Sequence, residues 1–473
     1  MKRFWMFVLL VAGSLAVLTA PAVVMADDEN GGDTLESLRE DMNTALGTQA
    51  SRMSDIEKQL GIKLMGDIRI RYAFKSQLNN SADKQGTISD QSYGRYRVRF
   101  GATKQFGDFL AGFRLTTAPG GNPNTENNTF DTSFDNPTIG IDQAYISWVP
   151  SLLNKNWKVV VGKMPNPVVN TPISWDPDIV PEGALIEANY GDMKIRGTWW
   201  ELQNVTNYAS ESQIVAPGSL ATPDTGLNKD EYMDNVQLDY LFKFDTDTNA
   251  LLTLGYEYIP YATSLAGGTI GFYTNAPTQA LGGNKGLVGN GNIWDYGKVL
   301  PDFQVGEAIL SFNHKVSGVP FKWTFHFTDN FDSFNVPNYS NATIATNTAA
   351  QNAAAKKADG YTTESNQYAF YAGVNIGTIV NPGDFAGLLA VAYIEPNATM
   401  AWLTDDDPSF TNRQYLKESL SYGLASGVNL VATAWQIERV YYGANVGVTP
   451  GASLGGGSND PYFVNYLDAV ASF

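Results

Sequence analysis

The stretch Arg95-Tyr96-Arg97-Val98-Arg99-Phe100-Gly101-Ala102 alternates charged and apolar side chains with a period of two. Successive side chains of a β-strand point to opposite faces, so one face of this strand prefers water and the other an apolar environment. Three arginines on one face of a single strand indicate a water-filled space rather than the core of a soluble sandwich. Residues 67–74 and 321–328 alternate in the same way. Repeated alternation of aromatic and polar side chains is typical of a transmembrane β-barrel.

The amino terminus has the pattern of a secretory signal. Lys2 and Arg3 precede an apolar run over residues 4–20, and Val24-Met25-Ala26 precede an acidic segment. This pattern predicts a signal peptide over residues 1–26 that is removed before Asp27. A retained membrane anchor is the alternative, because the run is long enough to span a bilayer.

Composition excludes several classes of function. The chain has no cysteine, which removes disulfide frameworks, thiol nucleophiles, cysteine metal sites and C-x-x-C-H haem attachment. Its net charge of −17 argues against nucleic acid as a partner. His314 and His326 are the only histidines, so a Ser-His-Asp hydrolase or a multi-histidine metal site has few residues to use. We therefore predict no enzyme, no cofactor and no metal site.

An outer-membrane phospholipase is the enzymatic alternative. It would need one of the two histidines to face lipid beside a serine. His326 alternates with Phe325 and Phe327, which predicts that it points into the lumen, and His314 is predicted near a short turn.

The segment between the signal and the first strand has a helical pattern over residues 33–61. Its apolar positions are three or four residues apart, which predicts an amphipathic helix. We interpret residues 27–65 as a periplasmic helical segment with a short coiled coil. A helix packed on its own barrel is the alternative. The apolar positions are Leu35, Leu38, Met42, Leu46, Met53, Ile56 and Leu60.

Residues 66–473 predict an all-β fold, a 16-stranded antiparallel transmembrane β-barrel. Connections after even-numbered strands are short, and those after odd-numbered strands are long and polar, as expected for periplasmic turns and extracellular loops. A soluble propeller would show a repeat of fixed period, and we find none. The predicted strands cover residues 67–74, 95–104, 109–117, 141–149, 157–164, 183–190, 193–203, 232–244, 250–259, 303–314, 321–329, 367–376, 386–395, 416–425, 428–438 and 462–473.

Four segments give the chain a family resemblance. They are Ile141-Asp142-Gln143-Ala144-Tyr145-Ile146, Gly162-Lys163-Met164-Pro165-Asn166-Pro167, Trp175-Asp176-Pro177-Asp178 and Pro181-Glu182-Gly183. With the arginine-rich strands and the terminal Phe473, they resemble bacterial outer-membrane porins, specifically the homotrimeric porins of sulfate-reducing and related bacteria.

The resemblance implies a location, partners and a function. The chain would lie in the outer membrane of a Gram-negative bacterium, with its helical segment in the periplasm. Its partners would be the lipid bilayer, further copies of itself in a homotrimer and small polar solutes. The carboxy-terminal strand ending at Phe473 resembles the assembly signal that outer-membrane barrels present to the barrel-assembly machinery. The implied function is a water-filled channel for passive diffusion of small hydrophilic solutes and ions.

The strongest candidate site is a ladder of basic residues. If the apolar positions of the first three strands and of the seventh strand face lipid, the alternate positions face the lumen. In a narrow passage such a ladder raises the local concentration of anions. The alternative is that these residues are solvated wall or pair with acids on neighbouring strands. The ladder comprises Arg69, Arg71, Arg95, Arg97, Arg99, Arg114, Lys194 and Arg196.

The third long loop, from Met164 to Gly183, is the candidate constriction through Trp175, Asp176, Asp178 and Glu182. In general diffusion porins this loop folds into the barrel, and resemblance alone implies that fold here; an extracellular loop is the alternative. We predict a weak preference for anions or none. The alternatives to a general porin are an anion-selective or solute-specific channel, and a structural or sheath barrel for a partner complex.

Overall fold

The computed structural model of the chain describes residues 57, 61–77, 91–118, 123–130, 136–203, 231–260, 303–331, 367–395, 398–400, 403–405, 407–408, 411–440 and 462–473. The predicted signal peptide lies outside these residues, as does the predicted helix except for Glu57 and Gly61. Within the described ranges, no helix is both long and apolar enough to cross a membrane.

The described strands form one antiparallel sheet, and each of the sixteen predicted strands is present. The largest shift is in β1, which begins at Ile62 because its first residues continue the pairing with β2. A further two-residue strand, β4, pairs with β2. The strands are β1 (Ile62–Gln77), β2 (Gln91–Phe106), β3 (Phe109–Thr117), β4 (Asn128–Thr129), β5 (Ile139–Trp148), β6 (Trp157–Lys163), β7 (Glu182–Tyr190), β8 (Met193–Gln203), β9 (Glu231–Lys243), β10 (Asn249–Ile259), β11 (Phe303–Val316), β12 (Val319–Asn330), β13 (Tyr368–Gly377), β14 (Phe385–Ile394), β15 (Arg413–Ala425), β16 (Val428–Arg439) and β17 (Tyr462–Ser472).

The sheet closes on itself. Each barrel strand pairs with the next, and β17 pairs with β1 from Asp67↔Ser472 to Gln77↔Tyr462. Two-residue turns such as Gly191-Asp192 and Ser426-Gly427 join strands at one end, where Gly191 and Gly427 adopt φ values of 63° and 71°. The turn between β5 and β6 holds a short 3-10 helix, Ser151–Leu153, which the sequence pattern did not predict. A closed barrel leaves no edge strand, which confirms the predicted all-β barrel.

The outer face of the barrel is apolar. Large apolar side chains are exposed at every second position of the strands, for example Ile68, Ile70 and Phe74 on β1. His326 is 1% exposed between the exposed Phe325 and Phe327, so it faces inward as predicted. His314 faces outward, and its ring stacks on those of Phe312 and Phe321 with centroids 5.3 Å apart in each case. These outward aromatic side chains suit a lipid environment.

Phe473 lies at the seam where the barrel closes. Its backbone N–H donates to the carbonyl oxygen of Gly66 at 3.0 Å, and the N–H of Gly66 donates to the carbonyl of Phe473 at 2.9 Å. A Cβ atom at Gly66 would lie 2.5 Å from the Phe473 ring and 2.6 Å from the carbonyl oxygen of Arg99. Glycine at position 66 is therefore what lets the terminal ring pack against β1.

We expect deletion of Phe473 to lower the amount of inserted barrel severalfold, because β17 loses the backbone bonds and the ring that join its end to β1. The measurement is the heat-modifiable protein in outer-membrane fractions, compared with material left in the periplasm. Phe473→Tyr keeps the ring and serves as the control. Unchanged insertion of the deletion variant would show that Phe473 does not act in assembly.

Candidate functional site

The predicted arginine ladder lies on the inner face of β1, β2 and β3. The register places Arg69 opposite Arg97 and Arg71 opposite Arg95. Their outward neighbours Ile70 and Val98 are exposed. Like charges directly opposite each other destabilise a strand pair unless carboxylates offset them.

Carboxylates surround the centre of the ladder. Asp67 accepts hydrogen bonds from Arg97 at 2.9 Å and from Arg99 at 2.5 Å. The Glu126 carboxylate lies 3.3 Å from Arg99 and 3.5 Å from Arg97. Asp178 also lies 3.5 Å from Arg97. We call the group formed by Asp67, Arg97, Arg99, Arg114, Glu126, Asp142 and Asp178 the central ion-pair cluster.

Two more arginines of the ladder have acidic partners. Arg114, in the central ion-pair cluster, donates to Asp142 and lies 3.8 Å from Glu126. Arg71 forms a bidentate pair with Asp468 on β17, with N–O distances of 2.8 and 2.9 Å, and lies over the ring of Tyr466. Paired in this way, these arginines do not present free positive charge to the lumen.

Arg69 and Arg95 differ from the others, because neither forms a salt bridge with a described residue. Arg69 donates to the side-chain oxygen of Asn127 at 2.6 and 3.2 Å. Arg95 donates to the hydroxyl of Thr129 at 3.4 Å. Among the described residues, the ladder on β1, β2 and β3 is thus ion-paired at its centre, and Arg69 and Arg95 are its positions without a salt bridge.

Two carboxylates of the central ion-pair cluster belong to loops, those of Glu126 and Asp178. Glu126 is the more buried of the two, with 4% of the residue exposed. Burial, together with the carboxylates of Asp178 and Asp142, raises the pKa of Glu126 to about 7, although Arg99 and Arg97 act in the opposite direction. Near neutral pH the charge of the cluster therefore depends on how far Glu126 is ionised.

The basic pair on β8 also faces inward. Arg196 is 3% exposed, donates to Asp239 and to the carbonyl oxygen of Pro167 at 3.0 Å, and lies 3.8 Å from Glu187. Lys194 is more exposed and lies 3.6 Å from the carboxylate of Glu187. Arg196 is therefore an anchor for the chain that contains Pro167, rather than a free charge.

Pro167 belongs to the third long loop, residues 164–181, which crosses the barrel interior. The backbone of Val169 exchanges two hydrogen bonds with Gln237 on β9, at 2.8 and 2.7 Å. The hydroxyl of Thr171 lies 2.8 Å from Nδ1 of His326 on β12. Asp178 reaches Arg97 on β2 at 3.5 Å. A loop bonded to inward side chains of β2, β8, β9 and β12 must lie within the lumen.

Apolar packing holds the same loop in place. Trp175 is 4% exposed and its indole N–H donates to the carbonyl oxygen of Ile179 at 3.0 Å. The backbone N–H of Asp176 donates to the carbonyl oxygen of Leu403, in the loop between β14 and β15, at 2.5 Å. The buried cluster that contains Trp175 is Val160, Met164, Ile179, Leu185, Trp200, Met233, Ile259, Phe303, Val305, Met400 and Leu403.

The structure brings together three of the four residues predicted for the constriction loop. Asp176 accepts a hydrogen bond from the backbone of Asp178 at 2.8 Å, and Trp175 precedes them in the same turn of chain. Glu182 lies apart from these three residues. It is the first residue of β7 and points outward, as Ile186 does four residues later, and its carboxylate pairs with Lys163 at 2.8 Å. Glu182 is therefore not part of the lumenal group.

Apart from Asp178, the acidic partners of the ladder were not among the site residues that the sequence analysis predicted. Asp67 and Asp468 could have been found, because they alternate with outward apolar residues just as the arginines do. Glu126 and Asp407 lie in loops, where alternation gives no orientation. Asp407 accepts a hydrogen bond from the hydroxyl of Tyr466 at 2.7 Å and lies 3.8 Å from Arg71.

A closed barrel of sixteen strands, with an apolar outer face and a charged lumen crossed by a loop, defines an outer-membrane channel. The sequence model of a family described as "Putative porin" matches residues 71–258, which include the arginine ladder beyond Arg69 and the third long loop. The resemblance to bacterial outer-membrane porins is thereby confirmed. No curated protein sequence matches the chain.

Several solved porin structures are similar to this chain at low identity. OprB of Pseudomonas putida at high pH is 10% identical, with a TM-score of 0.49 over 89% of this chain and 96% of OprB. The channel DcaP of Acinetobacter baumannii is 12% identical, with a TM-score of 0.40 over 87% and 97%. A mutant of the Rh. blastica porin is 9% identical, with a TM-score of 0.39 over 87% and 100%. Because these sequence identities and TM-scores are low, we assign the barrel from the strand pairings and not from the similarity to these structures.

Proposed function

We propose that this chain is a porin of the outer membrane of a Gram-negative bacterium that lets small hydrophilic solutes and ions diffuse passively through its lumen. The observation that carries the proposal is the closed sixteen-stranded barrel, because barrels of this size enclose water rather than a side-chain core. The charged residues of its inner face support the same function, because charged side chains are unfavourable in a packed apolar core and favourable beside water.

The proposed constriction lies between the central ion-pair cluster and the third long loop. Asp178 of that loop contacts Arg97 on the wall, while its other anchors lie on β8, β9 and β12. The loop therefore occupies part of the cross-section, and solutes pass through what it leaves open. We assign the role of pore-lining residues to the ladder on β1, β2 and β3 and the role of constriction residue to Asp178. Trp175 and Asp176 are 4% and 2% exposed, so we assign them the role of holding the loop in place.

Near-neutral selectivity follows from the pairing of charges. Arg69, Arg71, Arg97, Arg99 and Arg114 lie among six carboxylates, those of Asp67, Glu126, Asp142, Asp178, Asp407 and Asp468. Acids outside the mouth are screened beyond about 8 Å at physiological salt, so the lumen decides selectivity. An anion-selective channel is the second candidate, because Arg69 and Arg95 form no salt bridge with a described residue.

We propose that the barrels assemble as a homotrimer in the outer membrane, after cleavage of the signal peptide and recognition of the strand ending at Phe473 by the barrel-assembly machinery. The predicted helical segment, which ends before Ile62 because residues 62–65 belong to β1 rather than to a helix, would lie in the periplasm and could associate there with its copies. A sheath barrel for a partner complex is the remaining alternative. Stable co-purification of a haem protein would favour that alternative.

The test is single-channel recording in planar bilayers with purified, unboiled protein. We expect stepwise openings and a reversal potential within a few mV of zero in a tenfold KCl gradient, where ideal selectivity gives about 59 mV. Boiled protein serves as the control. Folded barrel that inserts into the bilayer without conducting would contradict the proposal and favour a sheath.

A further inference from the structure

The outer face of β15, β16 and β17 carries polar side chains among the apolar ones. Glu418 on β15 is opposite Leu389 on β14, which is 44% exposed on the outer face. The same row continues through Ala434 and Asn465 to Phe74 on β1, which is 40% exposed. Because side chains of one cross-strand row share a face, Glu418 and Asn465 also point outward.

Glu418 lies at membrane depth. It is eight residues from the turn at Ser426-Gly427. With a rise of about 3.3 Å per residue and a tilt of about 40°, it lies about 20 Å above that turn, within an apolar band about 25 Å tall. An acidic side chain in contact with lipid at this depth is costly. Its Oε1 atom is buried and has no hydrogen-bond partner within the described part of the chain.

Four other polar residues lie near Glu418 on this surface. Gln414 and Gln436 each donate to Glu438, at 3.0 and 3.4 Å. Asn465 lies beyond Ala434 in the row of Glu418. We call Gln414, Glu418, Gln436, Glu438 and Asn465 the outer polar patch. It therefore holds both carboxylate acceptors and amide donors.

The surface around the outer polar patch suits close approach of another barrel. Ala432 and Ala434 are neighbours on the outer face of β16, where Ala434 is opposite Asn465 and Ala432 is opposite the exposed Leu467 of β17. Small side chains let two membrane-embedded surfaces come close enough for polar groups to bond. The outer face at the middle of β10 and β11 is different, because Leu254, Ala308 and Leu310 there are all apolar.

We infer that copies of this chain associate through the outer polar patch, where the carboxylate of Glu418 accepts a hydrogen bond from an amide of the adjacent copy. A second copy is the occupant because the patch carries both halves of the bond, and in a cyclic trimer a patch that faces the three-fold axis meets its copies on the neighbouring subunits. In lipid, satisfying an otherwise unpaired carboxylate favours association. The inference rests on the self-association proposed above and assigns it to one face.

The absence of cysteine from the sequence permits a direct test. Ala434→Cys and Ala308→Cys each introduce the only thiol. Both alanines lie on the outer face near the middle of a strand, and both are partly exposed, Ala434 in the patch and Ala308 on β11. In native membranes we expect a lipid-soluble maleimide to react with the Ala434→Cys variant at least tenfold more slowly than with the Ala308→Cys variant. The difference should disappear after heating that dissociates the oligomer.

Two substitutions of Glu418 complete the experiment. Glu418→Leu should lower the temperature at which the detergent-resistant oligomer dissociates, whereas Glu418→Gln, which can still bond, should lower it less. One combination of results would show that the assigned face is wrong: the oligomer forms, but both cysteine variants react equally and Glu418→Leu has no effect. The proposed self-association would then still stand. A wild-type protein that is monomeric in mild detergent would overturn both the assigned face and the proposed self-association. The channel function would still be tested independently by the conductance measurement. Protection of Ala434→Cys by a different protein would overturn the assignment to a second copy.

Discussion

Replacing residues 166–180 with a short glycine-serine linker should increase single-channel conductance about threefold or more, because the third long loop crosses the lumen and narrows the path of ions. The register makes the replacement feasible, since Lys163 and Glu182 at the two ends of the loop are paired on adjacent strands. A linker of a few residues therefore spans the gap. Conductance of purified barrels in planar bilayers is the measurement.

The replacement also exposes buried residues of the barrel wall, such as Trp200 and Phe303, which are 1% and 0% exposed beneath the loop. Heat modifiability must therefore confirm that the variant barrel is closed. Thr171→Val with Asp178→Asn is the matched control, because it removes two polar anchors and keeps the loop. We expect that variant to conduct at nearly the wild-type level with more current noise. Unchanged conductance of the linker variant would show that the loop does not limit flow.

The strands could be predicted from the sequence because their environment repeats along the chain. Each strand has one face toward lipid and one toward the lumen, so the period of two appears in β1, β2 and β12 without further information. The same alternation placed the arginines and His326 inward. It also placed Asp67 and Asp468 on the inner face, although the pairing of Asp468 with Arg71 depends on β17 lying next to β1 where the barrel closes.

The loops could not be predicted in this way. A loop residue has no alternating partner to fix its direction, so the burial of Glu126 and the contact of Asp407 with Arg71 depend on tertiary packing alone. The inward fold of the third long loop was implied only by resemblance. Glu182 shows the same limit, because a shift of one residue at the start of β7 decides whether a side chain faces the lumen or the outside.

The pairing of charges changes what the ladder is expected to do. A free basic ladder would favour anions strongly, whereas Asp67 and Glu126 offset Arg97 and Arg99 at hydrogen-bond and ion-pair distances. Each arginine therefore also holds carboxylates in place. Removing an arginine does more than lower the positive charge, because it leaves buried acids without a partner.

Replacing Arg97 and Arg99 together by Gln should make the channel cation-selective, with a shift of the reversal potential of about 20 to 40 mV in a tenfold salt gradient, where the limit is about 59 mV. The change leaves Asp67, Glu126 and Asp178 without these two partners at the proposed constriction. Because Arg97 and Arg99 lower the pKa of Glu126, their removal raises that pKa above its wild-type value of about 7, so the recording belongs at about pH 9 rather than at neutral pH. At pH 6 the shift should be smaller, because protonation of Glu126 removes one of the uncompensated negative charges.

Arg95→Gln is the matched control, since Arg95 lies on the same strand and face but forms no salt bridge with a described residue, and it should shift the potential much less. Removing one partner of a buried ion pair costs about 3 to 5 kcal/mol, so heat modifiability must show that the Arg97 and Arg99 variant remains folded. Adding Glu126→Gln and Asp67→Asn to that variant should return the reversal potential toward zero. A folded double variant with the wild-type potential would place the central ion-pair cluster away from the path that ions take.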